Sequence, residues 1–330
     1  MGGGTLDLIC GGRQSVLSLG PSGALTPSGR PSDRKAKGTK RTSPRIGISG
    51  WRYGGWRGKF YPQGLAQRRE LEYASGLFNS IEINGSFYSL QRPSSYQRWY
   101  AETPENFLFS VKGARYITHM KRLREVKAPL ANFFASGVLA LREKLGPILW
   151  QFPPQFHWSE EKFTEFFRLL PRDTAEAAAL ARKHDDKLKV AAFLKVDAPR
   201  HLRYAVEIRH PSFMVRAFFD LLREHNVAFV FADTAGKWPY AEDLTADFIY
   251  VRLHGDQQLY VSGYGDKALD WWADRVAHWR EGRQPPDAIL ITPPRKPSAT
   301  ETREIFVYFD NDAKVHAPFD AQRLAQRLLL

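Results

Sequence analysis

The sequence predicts an α/β protein: a (β/α)8 barrel of the TIM type, one domain, preceded by a disordered N-terminal tail. Three observations predict it. Eight short strand-like runs follow one another from Arg45 onward. Segments with helical spacing lie between most of them. In most of the runs one face is apolar, and polar groups gather at the C-terminal end of the other. Alternation of strand and helix calls for a parallel sheet, and eight repeats call for its closure. A chain of 330 residues, 43% hydrophobic and 25% charged, has the size and composition for it.

Residues 1–44 hold seven Lys/Arg against two Asp/Glu and are rich in Gly, Ser and Pro. They show neither helical nor strand periodicity, which predicts disorder. The barrel occupies 45–330. Its strands are read at Arg45–Gly50, Ser80–Asn84, Phe107–Lys112, Pro147–Phe152, Tyr204–His210, Ala228–Asp233, Phe248–His254 and Ile305–Asn311. Helices are expected over Leu65–Phe78, Ser94–Ala101, Ala131–Lys144, Ser159–Leu170, Phe213–Glu224 and Asp266–Arg280, with a last one from about Asp320. The fourth unit carries a second helix, Asp173–His184, and an excursion over Lys187–Pro199. Between the sixth and seventh strands the helical pattern is weak, so a loop is expected there.

Successive side chains of a strand face opposite sides, and in a barrel one side meets the helices while the other points inward. The second run sets Ile81 and Ile83 against Glu82 and Asn84. The third sets Phe109 and Val111 against Ser110 and Lys112, and the fifth Val206 and Ile208 against Glu207 and Arg209. In the seventh, Ile249, Val251 and Leu253 oppose Tyr250, Arg252 and His254; in the eighth, Ile305, Val307 and Phe309 oppose Phe306, Tyr308 and Asp310. Ser49, Gln151 and Asp233 end the remaining three. Isolated buried charges are costly unless paired or hydrated. So many polar strand ends therefore predict a solvated ligand site at the C-terminal face, where barrel enzymes work. The same residues also fit a self-compensating ion-pair network that closes the barrel top.

Four of these residues are of the types that move protons: Glu82, Glu207, Asp233 and His254. Lys112, Arg209 and Arg252 suit a carboxylate or phosphate, Arg as a planar fork and Lys as a point charge. Asn84, Gln151 and Asp310 add polar contacts. Trp51 and Tyr88 lead the aromatics of the predicted loops, which can stack on a sugar or base. Glu82, Glu207, Asp233 and His254 are also donors for a divalent metal. Three cations compete for the same carboxylates, however, and no paired His or Cys spacing is present, so a metal is not favoured. No glycine-rich cofactor loop and no serine-nucleophile elbow occurs, and the one cysteine, Cys10, lies in the tail. No organic cofactor is assigned.

Several segments together resemble the YecE-like family, domain of unknown function 72. They are IGISGWRYGGWRGKFYP (46–62), SIEINGSFYSL (80–90), FLFSVKGARYITH (107–119), LGPILWQFPPQF (145–156), AVEIRHPSF (205–213), YVRLHG (250–255) and FVYFDND (306–312). The resemblance covers about 45–330 and implies a barrel of the (β/α)8 type, but no reaction. The family usually carries a Phe-Asn-Asn type sequence near the eighth strand; here Phe309-Asp310-Asn311-Asp312 adds negative charge.

The expected function is acid–base chemistry on a small anionic ligand, such as hydrolysis or isomerisation of a phosphorylated compound. The alternative is a non-catalytic nucleic-acid-binding protein using its net charge of +13 and its aromatic rim. No apolar run reaches the length of a membrane span. A single cysteine fits a reducing cytoplasm.

Overall fold

The computed structural model describes Met1, residues 43–293 and residues 303–329. The tail read at 1–44 lies outside the described residues apart from Met1, Ser43 and Pro44. Eight parallel strands close into a barrel in chain order. They are β1 Arg45–Ser49, β2 Ser80–Ile83, β3 Leu108–Lys112, β4 Leu145–Gln151, β5 Tyr204–Glu207, β6 Val227–Asp233, β7 Phe248–Leu253 and β8 Glu304–Phe309. Closure is made by β8 pairing with β1, with Ile46 opposite Val307.

Nine α-helices accompany them among the described residues: α1 Glu70–Leu77, α2 Gly85–Tyr88, α3 Pro93–Ala101, α4 Lys127–Ala135, α5 Glu160–Leu169, α6 Thr174–Ala181, α7 Arg216–Glu224, α8 Asp266–Arg280 and α9 His316–Leu329. Residues 234–247, between β6 and β7, hold no helix, as the weak periodicity there predicts. The excursion at 187–199 carries neither helix nor strand.

Several ends differ from the sequence expectation. The helix expected over Ala131–Lys144 is two pieces: α4 stops at Ala135, and a 3-10 segment spans Val138–Lys144. Between them Gly137 has φ +116, and a Cβ there would sit 2.6 Å from the Pro93 Cα. The chain turns in a conformation closed to other residues, against a neighbour that leaves no space. The fifth strand ends at Glu207 rather than His210. Pro211 has no N–H to give a ladder, and it opens a 3-10 turn in which His210 Nδ1 accepts from the Ser212 N–H at 3.2 Å. The last helix starts at His316, not near Asp320. Pro318 sits in its first turn, where a missing N–H loses no helical bond.

Two apolar regions result. The larger lies between the sheet and the helices and includes Ile48, Ile81, Val111, Trp150, Val206 and Val251. The smaller fills the barrel with Leu149, Ala205, Ala228, Val230, Ala232, Phe248, Tyr250, Phe306 and Tyr308. Membership of the second set fixes which residues point inward on each strand.

Candidate functional site

The barrel interior changes character from bottom to top. Phe248 and Phe306 meet edge-to-face at 6.0 Å near the base. Above them Tyr250 and Tyr308 turn their hydroxyls onto other strands: Tyr308 to Ser80 and Tyr250 to Ser110, each 2.6 Å apart. Tyr250 also donates to Glu82 Oε2 at 2.6 Å. This tyrosine layer is where the apolar filling ends.

Arg252 forms the next layer and is fully buried. Its guanidinium donates to Glu207 Oε2 at 2.6 Å, to Glu82 Oε1 at 2.8 Å and to Asp310 Oδ2 at 2.9 Å. Ser49 Oγ donates to Glu82 at 2.7 Å. His254, also fully buried, brings Nδ1 to 3.1 Å from Asp310. Three carboxylates converge on one arginine from β2, β5 and the end of β8. Such a cluster is sustained by geometry: removing charges from water costs several kcal/mol per ion, and only close, multiply bonded partners offset it. Burial alone would raise the Glu207 carboxyl, but Arg252 and Arg209 overcome this and hold it well below the usual carboxylate range. The same competition, burial against Arg252 and His254, leaves Asp310 below its ordinary value.

Above the cluster opens a cavity of about 980 Å³, a size suited to a small molecule. Lys112, Gln151, Arg209 and Asp310 lie in its lining with Trp51, Tyr53, Asn84, Phe87, Tyr88, Arg115, His119, Tyr260 and Asp312. Arg209 is bound to Glu207 through Nε at 3.0 Å and to the Tyr260 hydroxyl through Nη2 at 3.0 Å, with its Cζ 3.8 Å from the Trp238 ring centre. Tyr260 holds a left-handed backbone, φ +64, unusual for a bulky residue and often found where a side chain is held for function. Lys112 is different. It is buried, its Nζ lies 4.5 Å from the centre of the Phe87 ring, and no ion pair reaches it among the described residues. Burial and the nearby Arg252 lower its pKa to about 8. The next residue, Gly113, has no room for a side chain: a Cβ would come within 2.2 Å of the Trp150 ring.

Two further titrating groups line the cavity. Burial and the charge of Asp310 raise Asp312 to about 6. His119, on a π-helical turn over Tyr116–Met120, is lowered to about 4 by burial and by Arg209, Lys112 and Arg115. It is neutral at pH 7, with Nδ1 2.8 Å from Thr118 Oγ1. Among the described residues the buried Asn84 Oδ1 has no hydrogen-bond partner.

The sequence-predicted residues therefore divide into three groups. Trp51, Asn84, Tyr88, Lys112, Gln151, Arg209 and Asp310 line the cavity. Glu82, Glu207, Arg252 and His254 lie together beneath it, buried and paired to one another. The ion-pair network that the sequence allows is present, and it lies beneath a cavity lined by the first group. Asp233 joins neither. It points the way of Phe229 and Phe231, away from the inward Ala228, Val230 and Ala232, and accepts from the Tyr264 hydroxyl at 3.0 Å. Its strand is apolar on both faces, so hydrophobicity could not reveal its parity. Of the remaining lining residues, Tyr53 and Tyr260 belong to the loop aromatics that the sequence offers for stacking and His119 lies in the loop after the third strand, whereas Arg52, Arg115 and Asp312 carry no site assignment from the sequence. Asp312 was within reach, since alternation carried past Asp310 arrives at it; the others sit on loops with no period. Among the described residues no group of three or more His, Cys, Asp or Glu is arranged to hold a metal ion. No helix among them is long and apolar enough to cross a membrane.

Comparison with known proteins agrees with the barrel. Over 121 residues the chain is 31% identical to the UPF0759 protein YunF of Bacillus subtilis, covering 35% of this chain and 42% of that protein. Over 146 residues it is 27% identical to the UPF0759 protein YecE of Escherichia coli, covering 44% and 43%. The matched stretches thus span less than half of either relative. Among solved structures, a DUF72 family protein from Thermotoga maritima superposes with a TM-score of 0.67 at 22% identity, covering 88% of this chain and all of that one. One from Enterococcus faecalis gives 0.61 at 14%, covering 87% and 96%. These likenesses speak for the fold. The family model described as "Protein of unknown function DUF72" matches residues 45–330, and the chain belongs to that family.

Proposed function

We propose that the protein is an enzyme that binds a small molecule bearing a carboxylate or phosphate and moves protons on it. The observation that carries this reading is the buried ammonium of Lys112, which opens on the cavity with no carboxylate paired to it among the described residues. An anion is the ligand that would restore what the lysine lost on leaving water. Arg209 supports the same choice, since its Nη1 has no hydrogen-bond partner among the described residues while Nε and Nη2 are held. The unpartnered Asn84 Oδ1 fits a ligand hydroxyl, and Trp51 and Tyr88 fit its apolar face.

For proton transfer the suitable groups are those with values near neutrality and access to the cavity. Asp312, at about 6, meets both conditions, and His119, lowered to about 4, offers the cavity a neutral imidazole that can take part in hydrogen bonds. Glu82, Glu207 and His254 act as positioning residues: they hold Arg252, and through it and Arg209 they fix the cavity floor. Hydrolysis and isomerisation both suit this division.

The test is a thermal-shift panel of inorganic phosphate, phosphorylated sugars and small carboxylates on the wild-type chain and Lys112→Met. A ligand that binds the native state stabilises it by mass action. Loss of a charge-assisted contact weakens binding by about 10- to 100-fold. Equal shifts in both proteins would sink the reading.

A further inference from the structure

We propose that Lys112 is a nucleophile that forms an imine with an aldehyde or ketone bearing a carboxylate or phosphate. This rests on the anion-binding reading of the cavity and names its substrate class. Four observations carry it. The amine lies in the cavity lining, where a ligand carbon can approach it. It is tied by no ion pair among the described residues, and its Nζ lies over the face of Phe87, 4.5 Å from the ring centre. Its strand is anchored on both sides of the amine, by Ser86 Oγ donating to the Lys112 carbonyl at 2.6 Å and by Gly113 N–H donating to Leu149 at 2.8 Å. Finally, a second cation, Arg252, sits in the layer beneath. A neighbouring cation and exclusion of water are the two means by which a lysine is made nucleophilic at neutral pH.

The charged groups around Lys112 come from several elements. Arg252 on β7 opposes its protonation, whereas Glu82 on β2, Glu207 on β5 and Asp310 after β8 favour it. The net result, with burial the largest influence, is a value of about 8, which leaves roughly a tenth of the amine unprotonated at pH 7 against less than a thousandth for an ordinary lysine. The same three carboxylates would stabilise the cationic iminium.

The step balances within the site. The neutral amine adds its lone pair to the carbonyl carbon as the π electrons move to oxygen. One proton then passes from the nitrogen to the alkoxide oxygen through Asp312 or solvent, giving a neutral carbinolamine. Asp312, protonated below about 6, donates to the departing hydroxyl, and water leaves as the nitrogen lone pair forms the C=N bond. From lysine ammonium and carbonyl the products are one iminium and one water, with no oxidant or reductant needed. Arg209 and Arg115, both in the lining, take the anionic end of the substrate.

The experiment treats the full chain separately with pyruvate and with dihydroxyacetone phosphate in the presence of cyanoborohydride, then maps adducts by peptide mass spectrometry. The expected result with one or both probes is reductive alkylation of Lys112 at least about tenfold faster than of the exposed Lys59, as its larger free-amine fraction dictates. Excess phosphate should suppress it, and Lys112→Arg should abolish it. The mapping on wild-type protein does not depend on the variant folding. Labelling spread over surface lysines, with Lys112 not preferred, overturns the proposal. If thermal shifts show Lys112-dependent binding of these anions without an adduct, the imine fails while the anion-binding reading stands. If neither binding nor adduct is seen, both fail.

Discussion

An ammonium taken from water into a barrel mouth loses hydration, and at Lys112 the Phe87 ring face lies 4.5 Å away while no ion pair among the described residues replaces it. The sign of the consequence follows from the lowered value of about 8. The unfolded chain binds the proton more tightly, so stability rises with pH between about 8 and 10.4, and the full penalty, about 3 kcal/mol, is present at pH 7. Lys112→Met should therefore stabilise the protein at pH 7 by about 1–3 kcal/mol. That gain should shrink as pH rises through this window, as read by urea denaturation. Arg252 is the opposite case. Arg252→Met would leave Glu82, Glu207 and Asp310 buried without their common partner, and a loss of about 3–5 kcal/mol is expected. Glu207 and Asp310 themselves bind protons less tightly folded than unfolded. Their contribution is complete above the unfolded values near 4 and is lost as pH falls below them, at up to about 1.4 kcal/mol per pH unit per group. Asp312 runs the other way: its value is raised to about 6, so Asp312→Asn should stabilise at pH 7.5, by an amount that shrinks as pH falls through about 6 and is gone below about 4. A stability difference from wild type that stays constant with pH, for Lys112→Met or for Asp312→Asn, would contradict these assignments.

At the scale of elements, strands were legible and ends were not. Two-residue alternation identified β2, β3, β5, β7 and β8 because each pairs an apolar helix-facing side with a polar inner one. In β6 both sides are apolar, and Asp233 was assigned to the wrong face. Helix ends depended on glycine and proline geometry. Gly137 breaks a segment that reads as one helix because Pro93 packs against it, a contact between residues distant in sequence. Loop residues such as Arg115, His119 and Tyr260 reach the cavity through folds of the chain that no period records. Gly113 supplies a direct check of how β3 presents Lys112. Gly113→Ala would drive a methyl group into Trp150, and overpacking of this kind costs about 1–3 kcal/mol or more. The lysine should shift with the strand end, so anion affinity should fall together with stability. Unchanged affinity in a destabilised variant would mean that the packing at Trp150 does not set the position of the amine.

On the scale of the whole molecule, net charge and cavity chemistry point to different ligands. A charge of +13 favours polyanions in general, while the pairing inside the barrel leaves Lys112 as a local, directed site. The two are separated by salt. Binding of a nucleic-acid backbone releases counterions and weakens steeply between about 50 and 200 mM salt, whereas a single buried contact loses far less. Calorimetric titration of the best anion from the thermal-shift panel, and of a single-stranded oligonucleotide, at both salt concentrations and on Lys112→Met as well as wild type, is the most direct measurement. The expected result is small-anion binding that survives 200 mM salt and falls about 10- to 100-fold in the variant. Oligonucleotide binding alone, abolished by salt and untouched by Lys112→Met, would contradict it.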